Sequence, residues 1–373
     1  MKKSFSLAIL ILLSSCREYK ALMAEQSKFN SEKKLTFNDD SKEAFNVNIN
    51  GINHNLFFDT GAGVTLINNA KFDLNDKKII RQKKIYGFDK KTLSTSTTYS
   101  VDSLKTSLFT TKNKYLYVSK IENIRNCSQD KYDGILGNFF SEIENQIELN
   151  YEIGYIKIVE NEIDKSGYSV LDATFNPISG KFSVKIEVNG ISDYFLFDTG
   201  NKMAILINNG VYKVLPEKVA TISSQNLAVN NTVMIVKIDV YQSVFAMSDD
   251  LVFNQYVGID NTSERSILNQ QFIKKFNWII DRKNKKVYCK AININKLNSV
   301  YKIPSRKELS GEKNEKLVVT FCIENVSKYN IGDEIVSINN QKVTAANICE
   351  MQILLNKTED WATLQLETIP AKS

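Results

Sequence analysis

The chain has 373 residues, of which 43% are hydrophobic and 24% are charged, a composition typical of a soluble folded protein of two or three domains. The net charge is +6, from 48 basic and 42 acidic residues, and no dense basic block is interleaved with aromatic residues. This charge pattern argues against a nucleic-acid partner. The single histidine, His54, excludes a zinc site built from several histidines.

The position of His54 also limits the catalytic classes. Ser-His-Asp and Cys-His catalysis each need a histidine, and His54 lies between Asn53 and Asn55 in what the sequence indicates is a polar, exposed hairpin turn. We therefore expect no catalytic role for it. The sequence has no glycine-rich phosphate loop, and we expect neither a metal ion nor another cofactor.

The N-terminus has the pattern of an export signal. Two lysines precede an apolar run, Phe5 to Leu13, which is too short to span a bilayer comfortably. The run leads into Leu13-Ser14-Ser15-Cys16, which resembles the lipobox of bacterial lipoproteins, where the cysteine is lipidated and becomes the first mature residue. We predict a signal peptide over 1–15 and a lipid-anchored flexible linker over 16–40, because the latter is polar and charged. A plain secretory signal with a chance cysteine is the alternative.

The lipobox resemblance implies a location in the cell envelope, with the membrane as a partner through the lipid anchor. Arg17, which follows Cys16, differs from the aspartate that retains lipoproteins in the inner membrane. The expected location is the outer membrane, either facing the periplasm or exposed at the surface.

Four cysteines remain beyond Cys16, at positions 127, 289, 322 and 349. They allow three full disulfide pairings, and an exported protein could oxidise them. Their spacing matches no metal motif, and buried free thiols are the expectation.

Two segments of the chain repeat one another, and each contains Asp-Thr-Gly. Asp59-Thr60-Gly61 and Asp198-Thr199-Gly200 are separated by 139 residues, and the same offset relates the turns Asn50-Gly51 and Asn189-Gly190. Asn-Gly between runs of alternating hydrophobicity predicts a β-hairpin. The alternating residues are Phe45, Val47 and Ile49 in the first copy, and Phe182, Val184, Ile186 and Val188 in the second. Each aspartate therefore follows the return strand of a predicted hairpin.

The two copies also close alike. Ile135-Leu136 matches Ile267-Leu268, and Phe140 matches Phe272; in each copy a short helical stretch then leads into two final strands around a polar turn. We predict two mostly β units over residues 41–162 and 163–296, each within the usual size of a domain.

The C-terminal segment, residues 297–373, differs from both copies. Gly332-Asp333-Glu334-Ile335, then Ile338-Asn339-Asn340, a helix-like run and a closing strand resemble a PDZ domain. The carboxylate-binding loop of that family is not recognisable. A small α+β PDZ-like domain is predicted. If it binds peptides, we expect binding by addition of a strand to the edge of its sheet. The alternative is a structural cap on the preceding unit.

The duplicated Asp-Thr-Gly, with a later hydrophobic pair leading into a helix, resembles the pepsin and retropepsin-type aspartic peptidases. The resemblance implies two β lobes related by a pseudo-twofold axis, with Asp59 and Asp198 as the catalytic pair. By the same resemblance Thr60 and Thr199 would hydrogen-bond across the axis, and Gly61 and Gly200 would let the loops approach. It also implies a flap tip at Tyr86-Gly87, 27 residues after the first aspartate.

Two carboxyl groups about 3 Å apart cannot both ionise, so they share a proton and can act as an acid and a base on water and a peptide carbonyl. The predicted function is that of an aspartic endopeptidase acting on a peptide or protein substrate. Both aspartates are in one chain, so oligomerisation is not required.

Two departures from the family pattern occur in the second copy. Asn201, followed by Lys202, stands where a small residue is usual, and Asn269 stands where the first copy has Gly137. Either asparagine could displace the loop, and Lys202 could hold Asp198 ionised. The alternative function is therefore a catalytically inactive, peptidase-like lipoprotein that binds peptides or proteins.

Overall fold

A computed structural model describes most of the chain beyond residue 25. The described residues are 26–38, 41–72, 79–86, 93–119, 132–137, 139–140, 143–177, 179–202, 205–208, 210–212, 217–227, 233–260, 265–297, 307–313 and 315–371. Most of them lie in β-strands, so the fold is mostly β, as predicted.

The first eleven strands precede residue 160. They are Gln26–Phe29 (β1), Lys34–Thr36 (β2), Ala44–Ile49 (β3), Ile52–Asp59 (β4), Leu66–Asn68 (β5), Ile79–Tyr86 (β6), Leu93–Lys105 (β7), Phe109–Ser119 (β8), Gly134–Gly137 (β9), Gln146–Asn150 (β10) and Tyr155–Val159 (β11). A 3-10 turn over Asn69–Lys71 follows β5.

The next part of the chain repeats this order. Its elements are Ser169–Phe175 (β12), Phe182–Val188 (β13), Ile191–Phe197 (β14), Ile205–Leu206 (β15), Lys218–Leu227 (β16), Val233–Ser248 (β17), Leu251–Asp260 (β18), Ile267–Leu268 (β19), Gln270–Ile273 (α1), Phe276–Asp281 (β20), Lys286–Ala291 (β21) and Ile294–Leu297 (α2).

The C-terminal elements have their own hydrophobic core. They are Glu308–Lys313 (β22), Lys316–Ile323 (β23), Glu334–Ile338 (β24), Gln341–Lys342 (β25), Ile348–Lys357 (α3), a 3-10 turn over Trp361–Thr363 and Leu366–Ile369 (β26). Trp361 is fully buried and packs with residues of β23, β24 and α3 in a cluster separate from the main core.

The Asn-Gly hairpins form as predicted. Asn50 and Asn189 have φ of 49° and 51°, and the glycines that follow them have φ of 92° and 79°. Two successive residues with positive φ make the turn whose twist matches that of paired antiparallel strands, and asparagine and glycine tolerate this geometry best. The predicted alternating residues of β3 and β13 all face the core and are at most 1% exposed.

Both copies have the same strand pairing. The hairpin β3–β4 continues into a parallel pair, β4–β9, and β9 pairs antiparallel with β5. In the second copy β13–β14, β14–β19 and β15–β19 pair in the same senses. Each hairpin return strand therefore lies beside a short strand from far along the chain, and the aspartate follows at its end.

A shared sheet joins the two copies, in the order β2-β11-β10-β20-β21-β12. Its centre is the antiparallel pair β10–β20, where Ile147 lies opposite Ile280 and Leu149 opposite Trp278. All four side chains are buried. The final strands of each copy thus form one continuous support for both.

Two strands lie within the segment predicted to be a flexible linker, residues 16–40, so that part of the prediction is wrong. β1 pairs with β8, and Phe29 packs on Phe109 with ring centroids 5.8 Å apart. β2 pairs with β11 and buries Leu35, which is 3% exposed. The apolar residues of this segment are isolated among polar ones, and the strands with which they pair lie more than 70 residues away. No local sequence pattern therefore predicts these two strands.

The hairpin β6–β7 of the first copy and the equivalent hairpin β16–β17 of the second copy differ in the strands that flank them. β6 is the last strand of its sheet. Its counterpart β16 pairs on one side with β17 and on the other with β23 of the C-terminal elements, where Ser223 lies opposite Cys322. The side chain of Glu324 accepts a hydrogen bond from Ser223 (2.7 Å) and forms an ion pair with Lys237 (2.6 Å). The second hairpin is therefore fixed by the C-terminal elements.

Candidate active site

The loops that follow β4 and β14 bring the two Asp-Thr-Gly sequences together. Asp59 lies opposite Gly137 in the parallel pair β4–β9, and Phe197, the residue before Asp198, lies opposite Leu268 in the pair β14–β19. Each aspartate is thus fixed at the end of a strand held on both sides, which positions its side chain better than an unsupported loop would.

Thr60 and Thr199 join the two loops by reciprocal hydrogen bonds. The backbone N–H of Thr60 donates to Oγ1 of Thr199 (3.0 Å), and the N–H of Thr199 donates to Oγ1 of Thr60 (3.1 Å). Each hydroxyl also donates to the carbonyl before the opposite aspartate: Thr60 to Phe197 (2.7 Å) and Thr199 to Phe58 (2.8 Å). Both threonines are at most 1% exposed, so the network is closed to solvent.

Gly61 and Gly200 face the carboxyl group of the opposite loop. A Cβ on Gly61 would overlap the carboxyl of Asp198, and a Cβ on Gly200 would overlap that of Asp59. Any other residue at either position would displace the acid it faces. The glycines therefore permit the close approach of the two carboxyl groups, which are hydrogen-bonded to each other.

Matching backbone donors hold the two acids. Oδ1 of Asp59 accepts from the N–H of Ala62 (2.9 Å). Oδ1 of Asp198 accepts from the N–H groups of Gly200 (2.9 Å) and Asn201 (3.2 Å). These bonds orient one oxygen of each carboxyl towards its own loop.

Burial raises the pKa of both aspartates. For Asp59 it outweighs the backbone hydrogen bonds from Ala62 and Gly61, which favour the charged form and lower the pKa. For Asp198, burial and the adjacent charge of Asp59 together raise the pKa to about 7. Burial and the closeness of the two acids thus favour a proton on the pair, and the titration belongs to the pair as a unit. This arrangement supplies one acid and one base at the same place.

Lys202 does not pair with Asp198, so the suggestion that it holds this acid ionised is wrong. Its Nζ lies 2.7 Å from Oε2 of Glu43 and over the ring of Phe57, 4.8 Å from the centroid. Lys274 binds the other oxygen of Glu43 at 3.0 Å. Burial opposes ionisation of Glu43, but the hydrogen bonds and charges of the two lysines prevail and lower its pKa.

The two asparagine departures fit without displacing the loop. The backbone N–H of Asn201 binds Asp198 as that of Ala62 binds Asp59. Asn269 is fully buried and caps α1, with its side-chain oxygen accepting from the N–H of Phe272 (2.9 Å). Asparagine is among the preferred residues at this helix position. The equivalent Gly137 has no such room, because a Cβ there would overlap the backbone of Val64.

The predicted flap and lipidation residues are only partly described. Tyr86 is the last residue of β6 and pairs with Leu93, at the start of β7. Gly87 and Cys16 lie outside the described residues. The hairpin β6–β7 is thus placed, while the predicted flap tip and anchor stay predictions.

His54 is buried, and its interpretation as an exposed turn residue is wrong. It lies within β4, is 4% exposed, and its Nδ1 is 3.7 Å from Oδ2 of Asp133. The hairpin turn ends at Gly51, so His54 points inward along the strand. Burial lowers the pKa of His54 against the charge of Asp133.

The cysteines are partly as expected. Cys289 and Cys322 are buried free thiols, whereas Cys349 is in a disulfide and does not follow the expectation of free thiols. Burial raises the pKa of Cys289 to about 12, which keeps it an unreactive thiol.

Sequence reasoning missed Glu43 and Lys181, which also lie at the site. Glu43 binds the two lysines described above, and the charge of Lys181 acts on Asp59. The 139-residue offset pairs Lys181 with Lys42 of the first copy, but no motif marks either lysine as a site residue.

No protein-family model matches the chain, and no curated protein matches it significantly. Within the described residues, no helix has both the length and the hydrophobicity needed to cross a membrane.

Proposed function

We propose that the protein is an aspartic endopeptidase that hydrolyses peptide bonds with water activated between Asp59 and Asp198. The observation that carries the proposal is the pair of mutually hydrogen-bonded carboxyl groups with raised pKa values, held by reciprocal threonine bonds. Perturbed carboxyl pairs in a cleft are typical of acid–base catalysis.

The reaction needs both members of the pair. The ionised carboxylate removes a proton from water as its oxygen attacks the scissile carbonyl, while the protonated carboxyl donates its proton to the carbonyl oxygen. The tetrahedral intermediate then collapses: the C–N bond breaks, the leaving amine takes a proton from the pair, and one hydroxyl of the intermediate returns a proton to the pair as its oxygen becomes the new carbonyl. The products are a carboxyl group and an amine, and the pair returns with one proton.

The test is digestion of a peptide library by the purified full chain, read by mass spectrometry from pH 3 to 8. We expect cleavage by the wild type and near-complete loss in Asp59→Asn and in Asp198→Asn, because the two acids act as a unit. Asp250→Asn, in an exposed turn after β17, is the matched control and should cleave normally. Cleavage that persists in the double variant would exclude this pair as the catalyst.

The binding-module alternative predicts a different outcome of the same test: peptide affinity without cleavage, little changed by either substitution. This alternative was motivated by Asn201, Asn269 and Lys202 of the second copy. The preserved bond from Asn201 to Asp198 and the capping role of Asn269 remove that motivation and favour an active enzyme.

We further propose that the two copies are peptidase-like lobes, between which an extended substrate binds under the hairpin β6–β7. Supporting this are the equal strand pairings of the copies and the sheet they share. Anchoring to the cell envelope through Cys16 and a location at the outer membrane remain proposals that rest on the sequence.

For the C-terminal elements we propose a PDZ-like unit that acts as a structural cap. In strand addition, a peptide would pair with the edge of β22 beside α3, where no other strand pairs within the described part of the chain. At that edge Asn356 binds the backbone N–H and carbonyl of Ser310 (2.9 and 3.1 Å), and Gln352 binds the same carbonyl (3.1 Å). These side chains take the hydrogen bonds that a peptide would need, which favours the cap over peptide binding.

A further inference from the structure

The charges around the acid pair are asymmetric. On one side, Glu43 neutralises Lys202 and Lys274 with ion pairs of 2.7 and 3.0 Å. The repeat places Phe182 at the position equivalent to Glu43, and Phe182 is 1% exposed within the core. The position equivalent to Glu43 in the second copy therefore carries no carboxylate.

A lysine directly precedes that position in the sequence. Lys181 ends a tight loop in which the N–H of Asn176 donates to the carbonyl of Lys181 (2.8 Å) and the N–H of Ser179 donates to Oδ1 of Asn176 (2.9 Å). The side chain lies against exposed Gly63, four residues after Asp59, with its Cε 3.6 Å from where a Cβ would stand. The loop thus holds the lysine beside the candidate active site.

The ammonium group of Lys181 has no hydrogen-bond or ion-pair partner among the described residues. Its counterpart Lys42 instead binds the backbone carbonyls of Tyr151 and Glu152. A half-buried lysine without a partner gains from an incoming carboxylate, because a charge-assisted hydrogen bond replaces incomplete hydration. The positive charge of Lys181 also acts on Asp59, where it partly offsets the rise in pKa that burial causes. Lys181 is therefore within electrostatic reach of the acid pair.

We propose that Lys181 binds a carboxylate of the substrate, so that the enzyme favours peptides with Asp or Glu on the side of the scissile bond that lies over Gly63. This inference rests on the proposed peptidase function. The neutralised lysines of the opposite side supply no such preference, because Glu43 already occupies them.

The experiment compares matched peptides with the purified full chain. Cleaved library sequences are resynthesised with Glu, Gln or Lys at each position flanking the cut. We expect kcat/KM for Glu to exceed that for Gln by about tenfold at one position, the size expected for a partly exposed charged hydrogen bond. Lys181→Met should abolish this preference, and Lys181→Glu should shift it to Lys. Lys185→Glu, an equal charge change at an exposed position of β13, should leave the preference intact.

The outcomes separate the two proposals. Cleavage with equal kcat/KM for Glu and Gln, or a Glu preference that survives in Lys181→Met, overturns the assignment of Lys181 and leaves the peptidase intact. Absence of any cleavage overturns the peptidase. In that case an array of the same library sequences in matched Glu and Gln forms is read for binding: a Glu preference lost in Lys181→Met supports the carboxylate site, and equal binding refutes it.

Discussion

Replacing Asp198 with asparagine should change how stability depends on pH. In the folded protein the pKa of Asp198 is raised to about 7, against a usual value of 3.8. The folded state therefore binds this proton more tightly than the unfolded state does. The stabilisation is complete below pH 4 and is lost as the pH rises through 7. Asp198→Asn removes this second titrating acid and leaves Asp59 as the only titrating member of the pair, and the asparagine amide can still donate to Asp59.

The magnitude follows from the shift. About three pKa units correspond to about 4 kcal/mol, which is lost over the interval between pH 4 and 7. The wild type should lose this stability across the interval and Asp198→Asn should not. We therefore expect the free energy of unfolding of the variant, relative to wild type, to rise by a few kcal/mol between pH 4.5 and pH 8.

The assay is urea denaturation at both pH values, followed by fluorescence of the buried tryptophans. Trp278 reports on the sheet shared by the two copies and Trp361 on the C-terminal core. Asp250→Asn, in an exposed turn, controls for the loss of one carboxylate. A difference between variant and wild type that stays constant to within about 0.5 kcal/mol at the two pH values would refute the shared proton.

Three further substitutions test other parts of the site and the anchor. Thr60→Val removes a hydroxyl that accepts from Thr199 and donates to Phe197; we expect a loss of about 2–4 kcal/mol in urea denaturation, and an unchanged midpoint would contradict the bridging role. Glu43→Gln removes two ion pairs; it should destabilise the protein by about 1–3 kcal/mol at pH 7, and because the pKa of Glu43 is lowered on folding, the difference from wild type should vanish in acid. Cys16→Ser should abolish metabolic labelling with a fatty acid, whereas equal labelling of both proteins would exclude lipidation at this residue.

The sequence predicted those features of the fold that repeat or have local signals. The Asn-Gly hairpins, the alternation of β3 and β13 and the spacing of the aspartates all depend on residues close in the chain or on the 139-residue offset. The burial of His54 was missed because a polar triplet, Asn53-His54-Asn55, looks like a turn until the true turn is placed at Gly51.

Contacts between residues that lie far apart in the sequence were not predicted. Glu43 meets Lys202 and Lys274 only after the two copies have come together, more than 150 residues apart in the chain. β1 and β2 likewise depend on partners from later strands. The ion pair between Glu43 and Lys202 is also a contact of this kind. It keeps the lysine away from Asp198, and no spacing of residues in the sequence predicts it.

The pairing of β16 with β23 has a consequence for the smallest fragment that can be studied. A chain truncated before residue 307 keeps both aspartates but exposes the backbone groups of Ile222, Ser223 and Ser224 along a sheet edge. It also uncovers the apolar cluster around Ile222 and Val236, which loses its contact with Phe321. Unpaired edges flanked by apolar side chains invite pairing with other chains. The two repeats alone would therefore self-associate, and a fragment made for study needs the C-terminal elements that cover this edge.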